Sequence, residues 1–199
     1  QLIGNQKVII NDQLCIHPST QVGDKDKIKV NGKLIKNIQS LRLWKLYKPV
    51  QYICTNNDPQ KRKIIFNLIP KNYPRLISIG RLDYMSEGLI LLTNNGDFAR
   101  KLELPSSNYK RIYKVCVRDK IQIDDLKKIN RGITIKKIRY KKINISKLNF
   151  KNSRTWLLIK LWEGKNREIR NICNNFKWNI IKLIRIQYGS YKLNDLGIG

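Results

Sequence analysis

The sequence is compatible with an α+β fold that is rich in strands, and three observations favour this class. Short apolar and β-branched runs predict strands along most of the chain, whereas the segments with helical spacing are short. No glycine-rich phosphate loop of the nucleotide-binding α/β type is present. The hydrophobic content of 41% is typical of a globular protein, and no stretch reaches the ~18 apolar residues of a membrane span.

A small β unit is expected at residues 1–37. Strands are predicted at 7–10, where an apolar run is followed by the turn Asn11-Asp12, and at 27–30, where basic and apolar residues alternate before the strong hairpin turn Asn31-Gly32. An ordinary hairpin explains this pattern as well. Residues 38–42 are expected to be a linker to a second domain, 43–199.

The stretch 80–97, GRLDYMSEGLILLTNNGD, combines a predicted buried strand with an unexpected charge. Leu89 to Leu92 form an apolar run, and Asn94-Asn95-Gly96 is a turn signal. Asp83 lies just before this strand, where a carboxylate is costly to desolvate unless it has a partner or a role. From spacing alone, a side-chain-to-backbone turn bond explains Asp83 equally well.

The remaining elements are predicted from hydrophobic periodicity and from the residues that end helices and strands. The pattern predicts strands at 43–46, 113–117 and 155–162, helices at 95–104 and 124–131, two edge-like strands with one basic face in 133–150, and a helix from about 166. The strand at 178–186 and the final turn and strand at 189–193 are expected only from the family resemblance described below. In the helix after 166, Arg167 and Arg170 fall on the polar side, opposite an apolar stripe. Two arginines on a polar face are often only solvated.

Charge is the dominant global feature. The 41 Lys and Arg residues oppose 14 Asp and Glu residues, which gives a formal net charge of +27. Such an excess favours a polyanionic partner, and nucleic acid is expected before a membrane because no basic amphipathic helix stands out. A coding bias toward Lys, Ile and Asn inflates the lysine count, so an unspecialised basic surface is the alternative.

Cysteine and histidine usage narrows the chemistry. The cysteines are far apart with no C-x-x-C pair, which argues against a zinc site or a disulfide framework and favours a reducing compartment: Cys15, Cys54, Cys116 and Cys173. The single histidine, His17, cannot build a His-rich metal site. Acid–base chemistry therefore falls to carboxylates, Tyr, Lys or water.

Four segments, in order, resemble motifs of the pseudouridine synthases, specifically the bacterial rRNA-modifying family with a small N-terminal RNA-binding module. GRLDYMSEGLILLTNNGD resembles the family's active-site motif. The others are LYKPVQYICTNNDPQKR, similar to N-K-P-x-G and D-P-Q-G-R; LELPSSNYKRIYKVCV, similar to the segment with the active-site Tyr; and EGKNREIRNIC, similar to E-G-R-N-R-Q-V-R. Residues 43–199 are thereby identified as a catalytic domain of this family. Residues 1–37 resemble the C-terminal half of the RNA-binding module, without its helical start.

The resemblance implies a fold and an activity. The fold would be α+β, with a mostly antiparallel mixed sheet in two halves, a central cleft and helices on the outer faces. The activity would be an isomerase reaction, uridine to pseudouridine in structured rRNA, with the large-subunit branch most similar. This reaction needs neither cofactor nor metal. We expect a monomer in a bacterial cytoplasm or in an organelle of bacterial origin.

The resemblance also assigns a catalytic set. Asp83 occupies the position of the catalytic residue, as nucleophile or base. Arg170 matches the arginine that pairs with this Asp, which would give the buried charge its partner. Tyr113 would pack against the target uracil; a half-buried strand aromatic is the alternative.

A second set is expected to contact RNA. Arg81 would fill the space left by the extruded uridine, and Lys48 and Arg62 would face RNA, where a solvated basic loop is the alternative. Lys165 and Arg167 would add phosphate contacts. The chain departs from the family pattern at five positions, where local turn geometry or RNA contacts are expected to differ from the family's: Tyr47, Gln51, Lys61, Arg111 and Asn171.

Other functions are also compatible with the sequence. A synthase of the same family acting on small-subunit rRNA or tRNA is the first alternative. A non-catalytic rRNA-binding or ribosome-assembly factor and a generic basic single-strand binder are the others. Asp83 argues against the last two, because a binder gains nothing from a buried carboxylate near phosphates.

Overall fold

The structure, a computed structural model, describes residues 1–23, 25–35, 40–118, 121–141 and 143–199. The chain divides into two units, Gln1–Ser40 and Leu41–Gly199. Positions 24, 36 and 37 of the expected N-terminal unit, and positions 38 and 39 of the expected linker, lie outside the described residues.

Strands outnumber helices in the described part of the chain. The strands are Val8–Ile10 (β1), Gln13–Leu14 (β2), Ile28–Val30 (β3), Lys33–Leu34 (β4), Leu43–Lys48 (β5), Ile77–Ile79 (β6), Glu87–Thr93 (β7), Arg111–Val117 (β8), Ile133–Ile135 (β9), Ile138–Tyr140 (β10), Asn144–Lys151 (β11), Arg154–Leu161 (β12), Ile180–Tyr188 (β13) and Tyr191–Lys192 (β14). The helices are Gly96–Glu103 (α1), Ile123–Asn130 (α2) and Glu168–Asn175 (α3), with 3-10 turns at Ile65–Leu68 and Pro105–Ser107.

The first unit is a small antiparallel sheet in the order β2-β1-β3-β4. Asn31 and Gly32 join β3 to β4 with positive φ angles of 52° and 75°. Both residue types tolerate this conformation, which a two-residue hairpin turn requires. The Asn-Gly turn read from the sequence is therefore confirmed.

The second unit is built on one large sheet. Its order is β11-β12-β8-β13-β7-β5, with β14 beside β13 and β6 beside β7. The pairs in this sheet are antiparallel except β13 with β7, which run parallel at the middle. The expected α+β class with a mostly antiparallel sheet is confirmed.

Strand β7 lies at the centre of the core. Leu89 and Leu91 pack into one apolar cluster, whereas Ile90 and Leu92 pack into another on the opposite face of the sheet. A strand buried on both faces needs apolar residues at consecutive positions rather than at alternate ones. This explains the uninterrupted run that the sequence shows at 89–92.

Three details differ from the sequence predictions. Residues 133–150 form three strands, not two, because Lys136 and Lys137 make a tight turn at φ 47° and 66° that no Gly or Asn signals. Helix α3 begins at Glu168 rather than near 166, because Arg167 has a left-handed φ of 52°. The strand β6 was not predicted, because its three residues are too few to give a periodic signal.

The parallel pairing of β7 with β13 depends on Gly88. Its φ is +103°, and a Cβ there would lie 2.4 Å from the Arg185 carbonyl oxygen and 2.8 Å from the Arg185 nitrogen. Neither backbone atom can rotate away. We expect Gly88→Ala to lower the free energy of unfolding by ~3 kcal/mol or more, measured by urea denaturation.

The matched control for this variant is Gly197→Ala. A Cβ at Gly197 would meet nothing within 4 Å, so we expect a change within ~0.5 kcal/mol. Equal unfolding midpoints for Gly88→Ala and the unmodified protein would contradict the close approach of the two strands.

Candidate active site

Asp83 lies in a loop, residues 80–86, that joins β6 to β7 and is anchored along its length. The Gly80 N–H donates to Glu103 Oε1 at the end of α1, at 2.5 Å. The Leu82 N–H donates to Cys54 Sγ at 3.4 Å. The Ser86 N–H donates to the Asp83 carbonyl at 2.9 Å and closes a turn. These bonds fix the backbone that carries the carboxylate.

Lys48, at the end of β5, also anchors the 80–86 loop through hydrogen bonds. Its ammonium donates to the carbonyls of Pro49, Asp83 and Ser86 at 2.9, 3.1 and 2.6 Å. The side chain is 0% exposed, and burial lowers the pKa of Lys48 to about 8 although the charges of Asp83 and Glu87 oppose that shift. The expectation that Lys48 faces RNA is therefore wrong, because its ammonium group is buried inside the fold and donates its hydrogen bonds to backbone carbonyls.

The buried Lys48 ammonium is expected to matter for stability. We expect Lys48→Met to lower the free energy of unfolding by ~3 kcal/mol, because three carbonyls lose their donor in a buried place. Urea denaturation measures the effect. Lys45→Met is the matched control: Lys45 is on the same strand but exposed, with one bond to the Lys192 carbonyl at 3.3 Å. Similar losses for both variants would contradict the assignment.

Arg170 reaches the loop from α3. Its Nε donates to Asp83 Oδ2 at 3.2 Å, and one terminal nitrogen donates to the Met85 carbonyl at 2.8 Å and to Ser86 Oγ at 3.0 Å. The Asp83 side chain is 34% exposed and that of Arg170 14%. The structure thus brings together two residues that are 87 positions apart in sequence, and it leaves the carboxylate open to a ligand.

Asp83 and Arg170 line a cavity of about 380 Å³. Four other residues singled out from the sequence line it too: Arg81, Tyr113, Lys165 and Arg167. Tyr113 is half-buried on β8, whereas Arg81 is exposed. A space of this size admits one pyrimidine nucleotide, so the geometry suits chemistry on a single base.

Tyr188 and Arg185 also line the cavity and were missed from the sequence. Tyr188 donates to the Leu102 carbonyl at 2.8 Å and accepts from Arg111 at 2.9 Å. The guanidinium groups of Arg111 and Arg185 lie 4.7 and 5.2 Å from the centre of its ring. Arg185 is 2% exposed and donates from Nε to the Leu89 carbonyl at 2.7 Å. In the sequence, the position of Arg185 between Ile184 and Ile186 in a predicted strand was the signal that could have indicated its burial.

Arg62 is not among the residues that line the cavity. It forms a bidentate pair with Asp58, with nitrogen–oxygen distances of 2.9 and 2.7 Å. Hydrogen bonds from the Arg62 side chain and backbone lower the pKa of Asp58 to about 2. The pair stiffens the 58–62 loop, and an RNA contact by Arg62 stays a prediction.

Two kinds of feature are absent from the described residues. No three His, Cys, Asp or Glu side chains in the described part of the chain come together as a metal site. Among the same residues, no helix combines the length and apolarity that crossing a membrane requires.

Comparison with known proteins gives consistent results. Residues 42–175 match the sequence profile of the family described as RNA pseudouridylate synthase. An uncharacterised RNA pseudouridine synthase of Rickettsia typhi is 43% identical over 199 residues, covering 100% of this chain and 81% of its own. Ribosomal large subunit pseudouridine synthase B of Bacillus subtilis is 32% identical, with 100% and 82% covered.

A solved structure supports the fold independently. The crystal structure of a pseudouridylate synthase superposes with a TM-score of 0.70 at 23% identity, and the match covers 98% of this chain and 83% of that one.

Proposed function

Because this chain belongs to the RNA pseudouridine synthase family, we propose that it isomerises one specific uridine of large-subunit ribosomal RNA and that Asp83 is its catalytic carboxylate. The single observation that carries the assignment of Asp83 is its position in the cavity, partly exposed and held by Arg170. Two relatives named ribosomal large subunit pseudouridine synthase B, at 32% and 33% identity, support the choice of RNA.

The proposed reaction exchanges one bond to the sugar for another. The bond from N1 of uracil to C1′ of ribose breaks, the base rotates, and a bond from C5 to C1′ forms. The proton on C5 leaves and N1 gains one, so no oxidant or reductant is consumed. Asp83 acts as nucleophile or base, and the fork of Arg170 keeps its carboxylate oriented toward the cavity.

The other cavity residues bind and position the nucleotide. Tyr113 stacks on the uracil, because its ring lines the cavity beside Asp83. Extruding a base from a helix costs a few kcal/mol, and Arg81 offsets this by taking the vacated place in the stack. Lys165, Arg167 and Arg62 are exposed and contact phosphates without reading sequence.

The N-terminal unit, residues 1–37 of the proposed division, would serve as an accessory RNA-binding module. Its exposed lysines suit phosphate contacts. We further propose a monomer that works in the bacterial cytoplasm, where the rRNA substrates of the named relatives are made.

The test uses unmodified transcripts of large-subunit rRNA, small-subunit rRNA and tRNA. Each is incubated with the protein, and pseudouridine is mapped by chemical adduct formation and reverse transcription. We expect modification at one position of the large-subunit transcript. Modification of another transcript alone would replace the proposed substrate. Binding without modification of any transcript would favour a ribosome-assembly factor instead.

A further inference from the structure

Glu168 is a buried carboxyl group that the reaction described above does not use. It is the first residue of α3, is 3% exposed and lines the cavity wall. Within the described residues, its Oε1 is buried and receives no N–H or O–H from a neighbouring group. An ionised carboxylate with an unpaired buried oxygen is strongly unfavourable. The arrangement therefore requires either a missing donor or a proton on Glu168 itself.

A second carboxyl group, Glu163, lies near Glu168: Lys165 donates from its side chain to Glu163 and from its backbone N–H to Glu168, and each carboxyl group shifts the pKa of the other. Glu163 Oε1 already accepts from the Lys141 N–H at 2.8 Å and from Lys165 Nζ at 3.2 Å. These donors favour the ionised form of Glu163, and with the contact to Glu168 they lower its pKa although burial opposes this. Burial, and then the charge of Glu163, raise the pKa of Glu168 to about 7. The opposite directions of the two pKa shifts mean that a single proton bound by the pair would be held by Glu168.

Other charged groups lie around Glu163 and Glu168, but among the described residues none forms a hydrogen bond with Glu168 Oε1. The Lys165 ammonium is 3.0 Å from Glu163 Oε2, donates to the Arg139 carbonyl, and lies 5.5 Å from the ring centre of Tyr140. The Arg111 guanidinium, on β8, lies beside Gly164. Arg167 and Arg170 extend from the start of α3 into the cavity.

The pair closes one turn of the chain. Glu168 Oε2 accepts from the Lys165 N–H at 3.2 Å, and the Glu168 N–H donates to the Lys165 carbonyl at 3.2 Å. A hydrogen bond from a protonated Glu168 to Glu163 would complete a ring around residues 163–168. Arg170 follows two residues later, so the closed turn fixes where its helix begins.

We infer that Glu168 is a positioning residue: its protonated carboxyl donates to Glu163, closes the turn at 163–168 and thereby presents Arg170 to Asp83. The family string that this segment resembles has Gln at this position, which donates an N–H at any pH. In this chain, Glu168 can donate a hydrogen bond only while its carboxyl group is protonated. The link to catalysis rests on the proposed function, whereas the shared proton and the placement of Arg170 do not.

The turn at 163–168 is expected to lose order as pH rises through about 7. Above that pH two adjacent carboxylates repel each other, and the buried one gains by moving toward water. The turn opens and Arg170 holds Asp83 less firmly. Glu168→Gln keeps the donor without a titrating proton, so it removes this pH dependence and leaves the shape nearly unchanged.

The first measurement uses the protein alone. Carbon-13 NMR follows the carboxyl carbons of Glu163 and Glu168 from pH 5 to 9, and nitrogen-15 NMR measures hydrogen exchange at Arg170 Nε. We expect Glu168 to titrate near pH 7. The exchange rates of wild type and Glu168→Gln should agree at pH 6, and at pH 8.5 the wild type should exchange about tenfold faster. Titration of Glu168 near its ordinary value, or equal exchange rates at pH 8.5, would overturn the inference.

The second measurement uses the rRNA transcript in single turnover. The ratio of the wild-type rate to the Glu168→Gln rate is expected to fall about tenfold between pH 6 and pH 8.5. Superimposable pH profiles would overturn the positioning role and leave the proposed function intact. No modification by either protein, with the expected NMR result, would refute the proposed function and leave the placement of Arg170 by Glu168 standing.

Discussion

Replacing Asp83 by Asn is expected to reduce pseudouridine formation by at least ~10³-fold. The amide has the size of the carboxylate and still accepts a hydrogen bond from Arg170, which lies 3.2 Å away. It is neither a nucleophile nor a base. RNA affinity should stay within ~3-fold, because the proposed phosphate contacts come from the surrounding cations and not from Asp83. Single-turnover rates and filter binding on the same transcript measure the two effects.

Asp97→Asn is the matched control for this substitution. Asp97 is an exposed residue in the first turn of α1, and we expect its loss to leave the rate unchanged. A wild-type rate in Asp83→Asn would show that another residue is catalytic. A parallel loss of RNA affinity would show that the substitution disturbs the binding surface rather than the chemistry.

Arg170→Lys should cost about 10²-fold in the single-turnover rate. The guanidinium holds Asp83 Oδ2, the Met85 carbonyl and Ser86 Oγ at once, at 3.2, 2.8 and 3.0 Å. A lysine ammonium keeps the charge but is a point donor on a flexible chain, so it cannot span all three. A carboxylate displaced by about 1 Å is enough to produce a loss of this size.

A double variant separates orientation from general damage. If Arg170 acts through Asp83, the combination of Arg170→Lys with Asp83→Asn costs no more than Asp83→Asn alone. Arg100→Lys, on the exposed face of α1, controls for the loss of an arginine elsewhere. Additive losses, or a wild-type rate in Arg170→Lys, would contradict the orienting role.

Local sequence patterns predicted a good part of the fold. The apolar run at 89–92 predicted a buried strand, and the structure explains it by apolar packing on both faces of β7. The turn signal Asn94-Asn95-Gly96 marked the change from strand to helix, and in the structure Asn95 caps α1, with the Phe98 N–H donating to its side chain at 2.8 Å. Both signals act over a few residues, which is the range over which sequence determines conformation directly.

Burial was harder to predict than conformation. Lys48 had the sequence character of an exposed basic residue, yet it is enclosed under the 80–86 loop. The sequence analysis likewise did not single out Arg185 or Glu168, and both are buried in the cavity wall. A charged side chain is enclosed only when distant segments supply its partners, and no local period encodes which segments those are.

The sequence by itself determined the strand-rich class, the basic character and the order of motifs, because these depend on residue type and short spacing. Only the tertiary structure decided that Asp83 meets Arg170, that Lys48 turns inward, and that Glu168 and Glu163 lie together. These contacts join a loop, a strand, a turn and a helix that are far apart in the chain. Their distances and burial, which set the charges of the site, exist only once the sheet has brought those elements together.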